Sequence, residues 1–285
     1  MYNGILSIDH TFVAVADMDE SRKTYEKLGF TVPPRGSHIE WGTGNWCIMF
    51  ENDYLELRGI IDPERFTVSL DEALEEYGEG LAGVAFGTNS AQGNYDEMIS
   101  NGITPKPLRS LTRNFELAEG WVQPKFSLCF PQEKDITGLM HVVCCQHLTP
   151  ELTRKPEFLV HDNATISVIS MTGRIGDADA VEAAQRKLLG NDAVNRIGNS
   201  IRLTLPSGQY LDLLSTVEYD AIYGEDSKVL ADKDTYLGVT RVKVSDLQQT
   251  CSTLEKNQVP FKKINDTLIR VHADFACGVI MEFTE

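Results

Sequence analysis

Basic residues are scarce in this sequence. It has 26 Lys and Arg against 42 Asp and Glu, a formal net charge of -16. A surface of that sign repels phosphate backbones and anionic lipid, so neither nucleic acid nor a membrane is an expected partner. No apolar run approaches the roughly 20 residues that a spanning helix needs. The start, Met1-Tyr2-Asn3-Gly4, carries neither the basic nor the apolar region of a secretory signal. The six cysteines (Cys47, Cys129, Cys144, Cys145, Cys251 and Cys277) are scattered, with no CxxC pair. They read as small packed residues of a reduced, cytoplasmic protein. There is no Gly-rich phosphate loop, and no Ser/His/Asp spacing suited to a nucleophilic hydrolase.

What is present is a repeated pattern. The 285 residues, 42% of them hydrophobic, suffice for one large or two ordinary domains with proper cores. Phe12, Val13 and Val15 form a short apolar strand. Asp17 then starts a helix, with Glu20 three residues on, and Met18, Ser21, Tyr25 and Leu28 share a face of it. Gly29 ends the helix, and strands are expected at Phe30-Thr31-Val32, Trp46–Phe50 and Tyr54–Leu57. The order is βαβββ. Looser copies follow from about residue 81, 164 and 236. In the third, Asp179 is the expected helix cap. In the fourth it is Ser245, in a Ser-x-x-Gln pattern. The strand Tyr210–Leu214 mirrors Tyr54–Arg58, and Met281-Glu282-Phe283 mirrors Leu55-Glu56-Leu57. A short helix is expected between Asp62 and Gly80, stopped by Gly78. Pro105–Pro131 is longer and more polar than its counterpart in the first unit.

A unit of this size cannot bury its apolar face alone, so copies must pair. The expected fold is α+β: four βαβββ modules forming cupped mixed sheets, with residues 1–150 as one half and 160–285 as the other. A cup lined by alternating side chains is a natural small-molecule site. Several polar residues suit such a site. Gly42-Thr43-Gly44-Asn45 lets backbone approach a ligand, with Asn45 as a hydrogen-bonding group. Arg109 and Arg113 suit a ligand carboxylate.

The βαβββ unit, the strand with Asp9-His10, the helix ending Lys27-Leu28-Gly29-Phe30 and the strand Tyr54-Leu55-Glu56-Leu57 resemble the vicinal oxygen chelate superfamily. That superfamily includes glyoxalase I, extradiol dioxygenases and bleomycin-resistance proteins. Arg35-Gly36-Ser37-His38, Trp41-Gly42-Thr43-Gly44-Asn45 and His147-Leu148-Thr149-Pro150-Glu151-Leu152 resemble a glyoxalase-like family within it, over about residues 8 to 170. The resemblance implies a divalent metal (Zn, Ni, Mn or Fe) held by His10 and Glu56, with His141 as third ligand and His147 in reserve. It implies Glu56 as catalytic base and His38, Asn45, Arg109 and Arg113 around a small-molecule ligand, and it leaves room for a homodimer. The implied activity is that of a metal-dependent lyase, isomerase or dioxygenase on a small oxygenated metabolite. The alternative is a metal-free protein that sequesters a small molecule, as in the bleomycin-resistance branch. The place of His10 is taken by Gly83 in the second unit and Val239 in the fourth, so the polar equipment gathers in the first.

Overall fold

The computed structural model describes residues 4–117, 119–227 and 233–285; Met1 to Asn3, where a signal would begin, lie outside them. The chain forms β1 (Ser7–Ala14), α1 (Met18–Lys27), β2 (Gly36–His38), β3 (Thr43–Met49), β4 (Tyr54–Ile60), α2 (Leu70–Tyr77), β5 (Gly80–Gly87), α3 (Ala91–Ser100), β6 (Lys106–Leu117), β7 (Gly120–Val122), β8 (Lys125–Phe130) and β9 (Val142–His147). It continues with β10 (Thr165–Ile175), α4 (Ala178–Leu189), β11 (Val194–Ile197), β12 (Ser200–Thr204), β13 (Tyr210–Ser215), α5 (Thr216–Tyr223), β14 (Tyr236–Val244), α6 (Leu247–Lys256), β15 (Lys262–Asn265), β16 (Leu268–Val271) and β17 (Ile280–Thr284). Among the described residues no helix is long and apolar enough to cross a membrane.

Helix starts follow the side chains that satisfy free amides. Asp17 accepts from the backbone N–H of Asp19 and Glu20, as its position predicts. For α4 and α6 the caps differ from the expected ones. Asp177 accepts from Ala180 N and Asp246 from Gln249 N, in place of Asp179 and Ser245. In each case an aspartate lies one or two residues away from the expected residue, in extended backbone, and its carboxylate takes the role. Asp179 then falls in the first turn and pairs with Arg196 at 2.8 Å.

Two mixed sheets result. The first runs β2-β3-β4-β1-β5-β9-β8-β6-β7, with a further pairing of β2 to β6 that closes it into a barrel. The second runs β11-β12-β13-β10-β14-β17-β16-β15 and stays open. β1 lies parallel to β4 and antiparallel to β5; β10 lies parallel to β13 and antiparallel to β14. Units therefore pair in chain order, first with second and third with fourth. The polar stretch from Pro105 to Pro131 is the hairpin system β6–β7–β8, whose long first strand supplies the closing seam.

Phe30-Thr31-Val32 is not a strand. Pro33 and Pro34 lack ladder donors, and the segment is held by the chain that joins the two sheets: Thr31 N donates to His161 Nδ1 at 3.0 Å and Thr31 Oγ1 to Val160 O at 2.6 Å. Phe30 packs instead on Phe283 of the second sheet, ring centroids 6.0 Å apart.

A polar clasp also joins the sheets. Gln209 Oε1 accepts from Ile8 N at 2.8 Å, and its Nε2 donates to Asp53 Oδ2 at 3.1 Å and to Val168 O at 3.0 Å. Asp53 Oδ1 accepts from Val168 N at 2.8 Å. Burial pushes the Asp53 carboxyl up to about 7, against the opposing hydrogen bond from Val168. The folded chain thus keeps a proton that the unfolded chain releases near 3.8. Stability from this group is present in mild acid and is lost as pH rises toward about 7, by at most about 4 kcal/mol. Urea unfolding between pH 4 and 8 should show this falling limb, and Asp53→Asn should flatten it; an equal slope in both proteins would contradict the assignment.

Candidate active site

The site begins with an irregularity in β1. Its register against β5 slips between Ile8 and His10. Neighbouring side chains on a regular strand point to opposite faces, but a bulge turns both the same way. Asp9 Oδ2 therefore meets His10 Nδ1 at 2.6 Å. His147 Nε2, at the end of β9, lies 3.0 Å from the same carboxylate. Burial alone would raise the Asp9 carboxyl, but His147 and His10 outweigh it and hold it well below the usual range. A buried carboxylate thus ties two histidines together, and His10 turns its Nε2 toward β4.

Glu56 on β4 receives it. Its Oε1 accepts from Asn45 Nδ2 at 2.6 Å, and its Oε2 accepts from Arg58 Nη2 at 2.7 Å. His10 Nε2 is 3.6 Å from Oε2, and His38 Nε2 is 3.9 Å from Oε1. Burial opposes ionisation of Glu56, yet Arg58, His10 and His38 hold its carboxyl near 2. Arg58 lies over the Phe12 ring at 4.1 Å. Its position two residues after Glu56 puts both on one face of β4, and that spacing was visible in the sequence.

His38, Asn45 and Arg113 meet at the barrel seam. β2 pairs with β3 through Gly36 and Asn45, and with β6 through His38 and Arg113. Burial and the nearby Arg58 push His38 down to about 3, so its ring is neutral at ordinary pH. Asn45 Nδ2 approaches His38 Nε2 at 3.2 Å, and Thr43 Oγ1 lies 2.7 Å from Nδ1. An amide donor at Nε2 leaves the proton on Nδ1, which donates to Thr43. Arg113 is only 4% exposed. Its Nε and Nη2 are buried without a hydrogen-bond partner, as is Asn45 Oδ1. A Cβ added at Gly36 would stand 1.9 Å from Arg113 Nε, so glycine is what lets the guanidinium lie there.

These residues line one narrow pocket with a cavity volume of about 30 Å³, walled by Trp41, Tyr54, Phe126, Leu128 and Phe130. His141, just before β9, is half-buried at the same pocket and sets its ring against Phe12 and Phe130. Burial, then Arg58, pushes it down to about 3. Arg109 is exposed on β6, stacks over Phe66 at 5.1 Å, and lines a neighbouring crevice that His141 shares.

Of the expected metal donors, His10 and Glu56 come together, at a separation that two ligands of one ion can adopt. His141 does not complete a tight triad with them. Among the described residues the three-donor group within 4.8 Å is Asp9, Cys145 and His147. Arg58 already places a positive charge on the Glu56 oxygen nearest His10.

The second sheet repeats the scaffold without this chemistry. β10 slips against β14 between Val168 and Ser170, as β1 does at Asp9. Ser170 pairs with Tyr210 as His10 pairs with Tyr54. Ile169 and Ser170 therefore stand where Asp9 and His10 stand. Glu282, fully buried, is closed off by Arg241 at 2.7 Å and Arg270 at 2.8 Å.

The Glu56–Arg58 pair can be tested by a double-mutant cycle. Glu56→Gln leaves a buried guanidinium uncompensated and should cost about 3 kcal/mol in urea unfolding at pH 7. The double variant Glu56→Gln/Arg58→Met should lose clearly less. Additive losses would show that the two groups do not act as a pair.

Comparison with known proteins agrees with this architecture. No curated protein matches the chain. A hypothetical protein from Staphylococcus aureus superposes with a TM-score of 0.71 at 14% identity, covering 98% of this chain and 99% of that one. A xylose isomerase-like TIM barrel/4-hydroxyphenylpyruvate dioxygenase fusion protein gives 0.64 at 11%, covering 99% of this chain and 49% of that one. A mutant of 4-hydroxymandelate synthase from Streptomyces coelicolor gives 0.63 at 10%, covering 98% and 92%. At these identities the likeness is one of fold. The model of the glyoxalase-like domain family matches residues 8–189, which contain the whole pocket, and the chain belongs to that family, within the vicinal oxygen chelate superfamily.

Proposed function

We propose that this protein is an enzyme acting on a small oxygenated anion, bound in the first-sheet pocket with its negative group on Arg113 and its reacting atoms beside His10. The observation that carries this reading is the Arg113 guanidinium: buried, lacking an ion pair among the described residues, and with two N–H groups unsatisfied. The centroid of the Phe115 ring lies 4.6 Å from its Cζ but the ring offers no hydrogen-bond acceptor. A desolvated cation without an ion pair is costly, and a planar carboxylate is the complement its fork geometry prefers. Asn45 Oδ1 adds an acceptor for a ligand O–H or N–H, and the aromatic walls suit an apolar body. Two of the fold neighbours are named for 4-hydroxyphenylpyruvate and 4-hydroxymandelate, small oxygenated acids of the same class.

His10 is the proton acceptor in this reading. Asp9 engages its Nδ1 and leaves Nε2 free on the pocket side. The charge formed on the ring is balanced by Asp9 behind and Glu56 in front. Glu56, held ionised by Arg58, is a weak base; it orders Arg58 and Asn45 and stabilises the imidazolium. A second reading keeps a divalent metal, Zn, Ni, Mn or Fe, on His10 and Glu56 with His141 drawn in. It is favoured by the 3.6 Å approach of the two donors and by Asp9 orienting His10 from behind, as carboxylates do for metal-bound histidines. When bound, such an ion would polarise a ligand oxygen. If the pocket only sequesters its ligand, binding will occur without turnover.

Arg113→Met separates these ideas. It should raise the stability of the ligand-free protein by about 1–3 kcal/mol, because an unpaired buried charge is removed. It should also weaken binding of small aromatic 2-oxo and 2-hydroxy acids by roughly 10- to 100-fold, read by calorimetry. Unchanged affinity would refute the anion anchor. Wild-type binding that survives chelator and dialysis would set the metal reading aside; binding lost with chelator and restored by one metal, but not in His10→Ala, would establish it.

A further inference from the structure

The structure holds a second donor cluster around the Asp9 carboxylate. Cys145 and His147 lie two residues apart on β9 and so share a face. The bulge in β1 brings Asp9 to them. One carboxylate oxygen, the thiol sulfur and one imidazole nitrogen then lie within 4.8 Å of one another. All three residues are mostly sequestered: Asp9 and Cys145 are buried, and His147 is half-buried. The His147 ring is fixed by an edge-on contact with Phe126, centroids 4.9 Å apart, and its Nδ1 faces Arg154 at 3.5 Å. The hydrogen-bonded chain His147–Asp9–His10 accounts for Asp9 and His147 without an ion. It does not account for Cys145, whose sulfur has no hydrogen-bond partner among the described residues although it faces a carboxylate and an imidazole.

The geometry points to a transition-metal site formed by Asp9, Cys145 and His147, separate from the His10–Glu56 edge and built for a borderline ion such as Zn(II) or Co(II). A mixed carboxylate, thiolate and imidazole set selects such ions over Mg or Ca, which take oxygen donors. Three protein donors leave a coordination position for water or for a ligand atom. Binding requires the Cys145 thiol to lose its proton to solvent as the metal–sulfur bond forms. His10 Nδ1 meets the same carboxylate at Oδ2, so an ion here would act on the pocket histidine through Asp9.

Co(II) alone is the probe, added to chelator-treated full-length protein. Ligation by Cys145 should give a sulfur-to-cobalt charge-transfer band in the near ultraviolet and strong visible bands, saturating at about one equivalent. Cys145→Ser and His147→Gln should each lose the ultraviolet band, and Glu56→Gln/Arg58→Met should keep it, with circular dichroism checking that each variant folds. No charge-transfer band in the wild type would overturn the proposal, as would a band that persists in Cys145→Ser. Cobalt bound without that band, and lost in Glu56→Gln/Arg58→Met, would place the ion at the His10–Glu56 edge and equally overturn it. None of these outcomes depends on turnover, so the anion-binding reading of the pocket stands or falls separately.

Discussion

Closure of the first sheet through β2 and β6 sets the terms for everything inside it. An open sheet lets a charged side chain find water; a closed one leaves it only protein partners, at a dielectric where an unpaired charge is costly. The seam itself carries His38 and Arg113, the pair opposed across it. Each polar group of the pocket can be understood as a response to that enclosure. Asp9 is satisfied by two histidines, Glu56 by Arg58 and Asn45, and His38 by giving up its charge. Arg113 has no ion pair among the described residues, and its Nε and Nη2 are left over together with Asn45 Oδ1 and Arg58 Nε; these are the groups that the proposed ligand would satisfy.

The second sheet shows the same scaffold with its buried glutamate fully paired. Its central strands keep the slip in register, yet isoleucine and serine occupy the positions of Asp9 and His10. Its buried glutamate is gripped by two arginines, and one of these also reaches Asp226 at 3.1 Å. No comparable guanidinium is left over there among the described residues. The asymmetry argues that the bulge belongs to the fold, whereas the residues placed on it belong to the function.

Much of this was legible in the sequence, because strand period and helix caps are local signals. The βαβββ order and α2 with its stop at Gly78 follow from alternation and turn chemistry; that His10, His38, Asn45, Glu56, Arg113 and His141 share a pocket was implied by the family resemblance. What was not legible depends on long-range pairing. A stretch such as 105–131 reads only as longer and more polar than its counterpart until its partner β2, some seventy residues earlier, is known. The bulge at Asp9 leaves no composition signal, so the sequence does not reveal that Asp9 is the group that meets His10 Nδ1. Arg109 and Arg113 look equivalent in the sequence, four apart on one strand; only closure at the seam buries one and leaves the other stacked on Phe66 at the rim.

Arg58 then decides how the His10–Glu56 edge is to be understood. A guanidinium 2.7 Å from a carboxylate oxygen already supplies the electrostatic service that a divalent ion would supply there. To bind an ion at that oxygen, Glu56 would have to release Arg58 into a pocket that already holds Arg113. Two uncompensated guanidiniums beside a dication is an arrangement that only an anionic ligand could offset. An ion at that edge would therefore compete with Arg58 for the Glu56 oxygen. At the Asp9–Cys145–His147 cluster the nearest guanidinium, Arg154, meets the outer nitrogen of His147 at 3.5 Å and leaves the Asp9 carboxylate to the two histidines.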